Sequence, residues 1–240
     1  MSKIYIVGTP IGNLKDITLR ALETLKFVDL VACEDTRVSE KLLSHFGISK
    51  KLVSYSKIDE SKSAAYIIDL ILKNNLNVAL VSDAGMPLVS DPGFELIKLA
   101  RANNIDVQLV PGVNAAISAF ALSGLSQTFT FHAFPKEKSG QRLKQIQSLD
   151  TENSHIFYVS PHKIDNFFAD IQTCWGQQAT IFVARELTKI HESFYLGSVE
   201  QVKEQLAQTS QKGEFTIVVK MNAAKREKIN KYQHFSKVNH

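Results

Sequence analysis

The sequence predicts an α/β protein built as two units, the first around a largely parallel sheet and the second around a mixed one. Three observations carry this reading. Apolar strand-like runs alternate with amphipathic segments through the first half of the chain. From "GLSQTF" at 124–129 onward, several strand-like runs come with fewer helical ones. Glycine and proline gather in the loops at strand exits. Regular alternation is the mark of βαβ units, and a run of strands with fewer helices marks a mixed sheet.

In chain order, "IYIVG" (4–8) leads to a helical pattern near 17–27, and "DLVACE" (29–34) to one near 36–46. "LVSYS" (52–56) leads to "SAAYIIDLILKNN" (63–75), and "VALVSD" (78–83) to "GFELIKLARANN" (93–104). "VQLVPG" (107–112) leads to "AAISAFALSGL" (115–125). Asp91-Pro92 reads as an N-cap with proline at the first helical position. Gly47 and Gly124 read as helix ends. In the second half the strands are "FTFHAF" (129–134), "HIFYVS" (155–160), "TIFVARE" (180–186), "ESFYLG" (192–197) and "EFTIVVK" (214–220). Helices are expected at 140–149, 162–172 and 199–208, with Ser160-Pro161 and a Ser198…Gln201 capping box marking two starts. The domains are placed at residues 1–113 and 114–222, with a basic tail at 223–240.

The composition is that of a globular protein: 240 residues, 44% hydrophobic and 22% charged. No run approaches the roughly 20 apolar residues of a membrane helix. The N-terminus enters a strand at once, without a signal-peptide pattern. Cys33 and Cys174 are the only cysteines, too few for a disulfide framework and without zinc spacing. A cytoplasmic protein with reduced thiols and no metal is expected. The net charge of +4 permits an anionic partner, and Lys225, Arg226, Lys228, Lys231 and Lys237 of the tail concentrate it. That tail reads either as a solvated end or as an RNA-contacting arm.

Three loops carry the chemistry of the first half: "GTPIGNL" (8–14), "CEDTR" (33–37) and "SDAGMPLVSDPG" (82–93). In a parallel sheet these exits share one edge, where ligands bind. Glycine lets the backbone approach a ligand, and proline keeps the loop from relaxing without one. "GTPIG" is not the dinucleotide fingerprint G-x-G-x-x-G, and no P-loop motif occurs. Glu34 ends an apolar strand, where a carboxylate is costly unless paired, and Arg37 is a candidate partner. Asp35 and Thr36 are also candidate helix caps.

In the second half, "VSPHKI" and "VARELTKIHE" place His162, Arg185, Glu186 and Lys189 just after strands. "FPKEKSGQR" adds Lys136, Lys138 and Arg142, read either as an exposed connection or as a phosphate-contacting loop. The sequence gives no reason to pair either cysteine with a histidine, and no Gly-x-Ser-x-Gly elbow is present, so nucleophilic catalysis has no support.

These stretches, from "VGTPIGNLKDITLRALETL" through "VDLVACEDTR", "VALVSDAGMPLVSDPG", "VPGVNAAISAFALSGL", "YVSPHKI" and "ARELTKIHE" to "GEFTIVV", closely resemble the ribosomal RNA small subunit methyltransferase I family of the tetrapyrrole methylase-like methyltransferases. The resemblance spans residues 7–219. It implies two αβα domains with S-adenosylmethionine in the cleft between them. It also implies methylation of a cytidine ribose 2′-oxygen in the decoding region of small-subunit ribosomal RNA, and a homodimer. By the resemblance, Pro10, Gly85, Met86, Val89, Ala115 and Ala116 contact the donor. Glu34, Asp35, Arg37 and Glu186 are the catalytic candidates, and Lys136, Lys138, Arg142, His162, Arg185 and Lys189 face RNA. Four residues depart from the family's usual pattern: Met86 for threonine, Val113 and Asn114 in the "PGPSA" segment, and Val159 for glutamate. Two alternatives stand beside this reading: a small-molecule tetrapyrrole methyltransferase, and a donor- and RNA-binding protein with weakened catalysis.

Overall fold

The computed structural model describes residues 2–210 and 212–223, so most of the expected basic tail lies outside the described residues. The first sheet contains β1 (Lys3–Val7), β2 (Leu30–Cys33), β3 (Lys51–Ser54), β4 (Val78–Val81) and β5 (Asp106–Val110). All are parallel, in the order β3-β2-β4-β1-β5. Parallel strands need crossovers, and helices supply them on both faces. Side chains alternate along β2, so Leu30 and Ala32 face one layer and Val31 and Cys33 the other. α1 (Leu19–Phe27) and α2 (Thr36–His45) cover one face through Leu25 and Leu43. α3 (Glu60–Asn74) and α4 (Phe94–Ala102) cover the other through Ile67, Ile71 and Leu96.

The strand order sets the site. The chain leaves β1 toward β2 on one side and leaves β4 toward β5 on the other. β1 and β4 are neighbours, so their exits diverge and open the crevice where ligands of α/β sheets bind.

The second sheet contains β6 (Phe129–Phe131), β7 (Ser154–Val159), β8 (Ala179–Arg185), β9 (Ser193–Gly197) and β10 (Phe215–Met221). Its order is β6-β7-β10-β8-β9, with β6–β7 parallel and the other pairs antiparallel. This is the mixed sheet expected from the sequence. α6 (Ser139–Gln147), α7 (Ile164–Trp175) and α8 (Val199–Ala207) cover one face through Ile146, Phe167 and Val202. α5 (Ala115–Ser123) covers the other, with Ala116 and Ala119 against Ile156, Phe182 and Val218, and Ile11 of the β1 exit joins this layer. Among the described residues no helix is long and apolar enough to cross a membrane.

The local signals hold at most helix ends. Ser198 and Gln201 form the reciprocal capping box at α8. Gly47 and Gly124 take left-handed backbones after α2 and α5. One expectation is corrected. Asp91-Pro92 does not start α4. The chain continues through Gly93 at φ 145° and the helix begins at Phe94. Its free N–H groups at Gly93 and Glu95 donate instead to the Glu60 carboxylate, at 2.9 and 3.3 Å. Tyr55 steadies that carboxylate with its hydroxyl at 2.9 Å. A glutamate from the preceding helix therefore caps α4, and Asp91 is left to line the crevice.

Candidate functional site

The exits of β1, β2 and β4 meet as the sequence predicts. Thr9 and Gly85 form a two-way backbone bridge, with N–H to carbonyl distances of 2.8 and 3.1 Å. The Asp35 N–H donates to Asp83 Oδ1 at 3.0 Å. A β-carbon on Gly8 would lie 2.7 Å from Gly112 Cα, so the β1 and β5 exits touch only because both residues are glycine.

The loop at 82–93 is held in an uncommon shape. Leu88 and Ser90 have φ of 69° and 72°, and Gly85 has 82°. Non-glycine residues rarely adopt this region, and such strain gathers at ligand sites. The Lys57 ammonium fastens the loop by donating to the Ser90 carbonyl. Met86, in place of the usual threonine, inserts its sulfur between the neighbouring exits and accepts from the Gly112 N–H at 3.2 Å. It therefore keeps a polar contact within the loop junction.

Beneath this loop lies a cavity of about 350 Å³, within the roughly 300–1,000 Å³ of small-molecule pockets. The first unit contributes Ile11, Gly85, Met86, Val89 and Asp91, and the second contributes Ala115, Phe134, Tyr158, Val159 and Thr216. The cavity thus lies between the two sheets, with apolar walls broken by a few polar groups. The Ser90 hydroxyl in that wall is buried without a hydrogen-bond partner among the described residues. Such an orphan is costly unless a ligand satisfies it. Gly85, Met86, Val89 and Ala115 of the expected donor contacts line the cavity. Pro10 and Ala116 do not; both are buried, and the Ala116 N–H donates to the Tyr158 hydroxyl at 3.2 Å. Val159 lines the wall where the family usually has glutamate, and Asn114 caps α5 by accepting from the Ile117 N–H at 3.1 Å.

Carboxylates gather near the Asp91 wall of this cavity: Asp91 lines it, and Glu34 and Asp83 lie within electrostatic reach of Asp91. Burial pushes Glu34 up from the ordinary carboxylate value, and the neighbouring Asp83 and Asp91 push it further. Burial likewise raises Asp83 and Asp91. Asp35 behaves oppositely. Its carboxylate takes the Arg37 guanidinium at 3.0 and 2.6 Å and accepts the Arg37 N–H at 2.8 Å, which holds it down at about 2. Arg37 is therefore the partner of Asp35, correcting the expectation that it pairs with Glu34. Asp35 is committed to that pair and to capping α2, so it is a poor proton acceptor.

Three second-half expectations are also corrected. Arg142 is only 8% exposed, and its Nε donates to Asp170 at 2.5 Å. Buried and paired, it cannot meet RNA. Arg185 is 7% exposed and donates to the Lys212 and His191 carbonyls at 2.8 and 3.1 Å, tying two loops together. Glu186 is not a free base. Burial raises it, but the Glu214 N–H at 2.8 Å and the Lys189 ammonium at 3.0 Å outweigh burial and hold it below the ordinary value. Lys189 also pairs with Glu214 at 3.2 Å. Lys136, Lys138 and His162 remain exposed.

The sequence reading missed Ser90, Asp91, Phe134, Tyr158 and Thr216 as cavity residues. The repeated aspartate of "SDPG" was a visible signal, but it was assigned to a cap. Ser90 lies in the 82–93 loop that the sequence singles out, but nothing local says that its hydroxyl is buried. Phe134, Tyr158 and Thr216 come from strands and a loop of the second unit, and nothing local says which face they present.

A doubly covered parallel sheet with divergent exits, packed against a mixed sheet over a shared cavity, is the architecture of the tetrapyrrole methylases. Residues 3–203 match the family of tetrapyrrole (corrin/porphyrin) methylases. Among solved structures, a cobalt precorrin-4 methyltransferase of cobalamin biosynthesis superposes with a TM-score of 0.69 at 18% identity, over 91% of this chain and 94% of the other. A uroporphyrin-III C-methyltransferase from Thermus thermophilus, complexed with S-adenosyl homocysteine, superposes with a TM-score of 0.64 at 18% identity, over 90% and 97%. Sequence narrows the family. The ribosomal RNA small subunit methyltransferase I of Mesomycoplasma conjunctivae is 48% identical over 98% of both chains. The chain belongs to the ribosomal RNA small subunit methyltransferase I family.

Proposed function

We propose that this protein transfers a methyl group from S-adenosylmethionine to the ribose 2′-oxygen of a cytidine in the decoding region of small-subunit ribosomal RNA. The observation that carries the donor part is the cavity under the strained 82–93 loop, with the unpartnered Ser90 hydroxyl in its wall. The acceptor class follows from the family membership. An enzyme acting on ribosomal subunits works in the cytoplasm.

The residues fit the donor. Apolar walls suit its purine ring and carbon chain, and exposed loop backbone, Ser90 and Asp91 offer polar partners. S-adenosylmethionine, when bound, supplies a methyl group on a sulfonium centre. The chain's own part is alignment and proton removal. Fixed alignment of reactants can lower a barrier by about 7–11 kcal/mol. The rigid loops provide it without reorganisation. A ribose hydroxyl is a weak nucleophile at neutral pH, and a positioned base adds about 10²–10⁴-fold. Glu34 takes this proton in our reading. Its pKa is raised, and its carboxylate has no hydrogen-bond partner among the described residues, while Asp35 and Glu186 are both committed.

The protein acts as a homodimer in this reading. α5 is apolar all round yet leaves Ile117 and Leu122 half-exposed beside the Phe120–Phe129 ring pair. A helix apolar on every side is expected to be covered. Light scattering of Ile117→Asp and Leu122→Asp variants tests it: a halved mass supports the dimer, and an unchanged mass refutes this surface.

The deciding experiment gives the purified protein S-adenosylmethionine and small subunits from cells lacking the gene. A single new 2′-O-methylcytidine in the decoding region is expected. Donor binding without that mark would favour a binding protein, and methylation of a corrin or porphyrin instead would favour the tetrapyrrole reading.

A further inference from the structure

We infer that the Phe134 ring is the platform on which the base of the acceptor nucleotide stacks, a specificity role that rests on the methyl-transfer reading above. The ring lines the cavity yet is 58% exposed, the second unit's large aromatic at the cavity mouth.

Its position is fixed from both sides. The pairing of β6 with β7 runs on past Phe131, with the His132 N–H donating to the Ile156 carbonyl at 2.9 Å and the Tyr158 N–H to the Ala133 carbonyl at 2.8 Å. At Ala133 the backbone then turns into the left-handed region, φ 57°. Pro135 follows and is buried, and a residue before proline is confined to extended backbone. The ring meets Tyr158 edge-on at a centroid distance of 5.8 Å. Tyr158 is itself braced by Phe131 at 5.1 Å and by the Ala116 N–H. A rigid mount for a water-exposed ring has little to offer the core. It does offer a flat apolar face in a fixed direction.

The charge around it fits a nucleotide. Lys136 and Lys138 follow within four residues and are exposed. The Lys136 backbone N–H is held by Gln145 at 3.0 Å, which fixes that loop while the side chain makes no hydrogen bond or ion pair among the described residues. Glu137, the acid between them, is neutralised by Lys163 at 2.7 Å. An aromatic face with two free ammonium groups beside it is the arrangement that binds unpaired nucleotides, through base stacking and phosphate contact. The acceptor's ribose must reach the cavity while its base stays at the mouth, where only water would otherwise cover it.

The test uses the full chain with Phe134→Ala, Phe134→Leu and Phe134→Trp, and small subunits lacking the modification. Thermal melts of all three should match wild type, because the ring is exposed. Losing the stack should raise KM for the subunit about 5- to 140-fold in the alanine variant, the ~1–3 kcal/mol of a stacked base converted at about 1.4 kcal/mol per decade. Phe134→Trp should restore KM and Phe134→Leu should not, and in the alanine variant calorimetric affinity for S-adenosylmethionine should fall by a smaller factor than the subunit KM rises. A matching fall in donor affinity would place the ring in the donor's wall and overturn the inference. Unchanged KM in Phe134→Ala, or full rescue by leucine, would overturn it too. If wild type itself binds donor but leaves the subunit unmodified, the acceptor assignment falls first and this inference with it.

Discussion

The two units treat their polar strand exits in opposite ways. In the first, the exits of β1, β2 and β4 hold one another mainly through backbone, as in the Thr9–Gly85 bridge. That leaves Ser90 and Asp91 in the cavity wall and Glu34, near Asp91, without a hydrogen-bond partner among the described residues. In the second, the exit of β8 is equally rich in charge, but Arg185, Glu186 and Lys189 are bound to each other or to nearby backbone. Density of charge therefore does not distinguish a reactive edge from a fastened one. What distinguishes them is whether the hydrogen-bonding capacity of each group is already taken.

The largest effect is expected where the second unit is fastened. Arg142→Ala leaves Asp170 buried without its partner and should cost about 3–5 kcal/mol in denaturant unfolding. A loss under 1 kcal/mol, together with weakened RNA binding, would return Arg142 to the RNA surface. At the reactive edge, Glu34→Gln should slow methyl transfer about 10²–10⁴-fold with donor affinity intact. Asp91→Asn, made in parallel, would take the role of base if it alone lost the rate. The wild-type rate should fall as pH drops through the raised Glu34 pKa. Stability runs the other way. A carboxyl whose folded pKa is raised stabilises below its unfolded value and loses that contribution as pH rises through the folded one. Glu34→Gln should therefore melt slightly higher than wild type at neutral pH, and a lower melting point would contradict the unpaired state of Glu34.

Gly8→Ala puts a β-carbon 2.6 Å from the Met86 sulfur and 2.7 Å from Gly112 Cα. It should cost about 1–3 kcal/mol by overpacking and abolish donor uptake; calorimetry showing normal uptake would mean that the exits tolerate separation. The smallest effect belongs to the exposed lysines. Lys136→Ala and Lys138→Ala should each reduce the salt slope of RNA binding by about 0.7–0.9. Slopes equal to wild type would remove that loop from the RNA surface.

Much of the fold was legible because it rests on local rules. Strand alternation, the two glycine helix ends and the Ser198–Gln201 box are set within a few residues, and the folded chain keeps them. The meeting of three exits was legible because parallel topology brings them to one edge. Asp91 was misread for a physical reason. Its Asp-Pro context satisfies the local rule for a cap, but Glu60, 33 residues away from Gly93, supplies the carboxylate instead. Arg142 and Arg185 were misread because a basic residue next to a loop looks free until its partner is seen. Those partners, Asp170 and Lys212, stand 28 and 27 residues further along the chain.

The sequence alone settled the α/β class, the parallel and mixed halves, and the glycine-proline exits that wall the cavity. These follow from side-chain periodicity and backbone dihedral limits, which each short segment carries within itself. Only the tertiary structure decided which carboxylates are free, which arginines are buried and which face of the second sheet closes the cavity. Pairing and burial depend on groups far apart in the chain, and they acquire a value only once folding has brought those groups together.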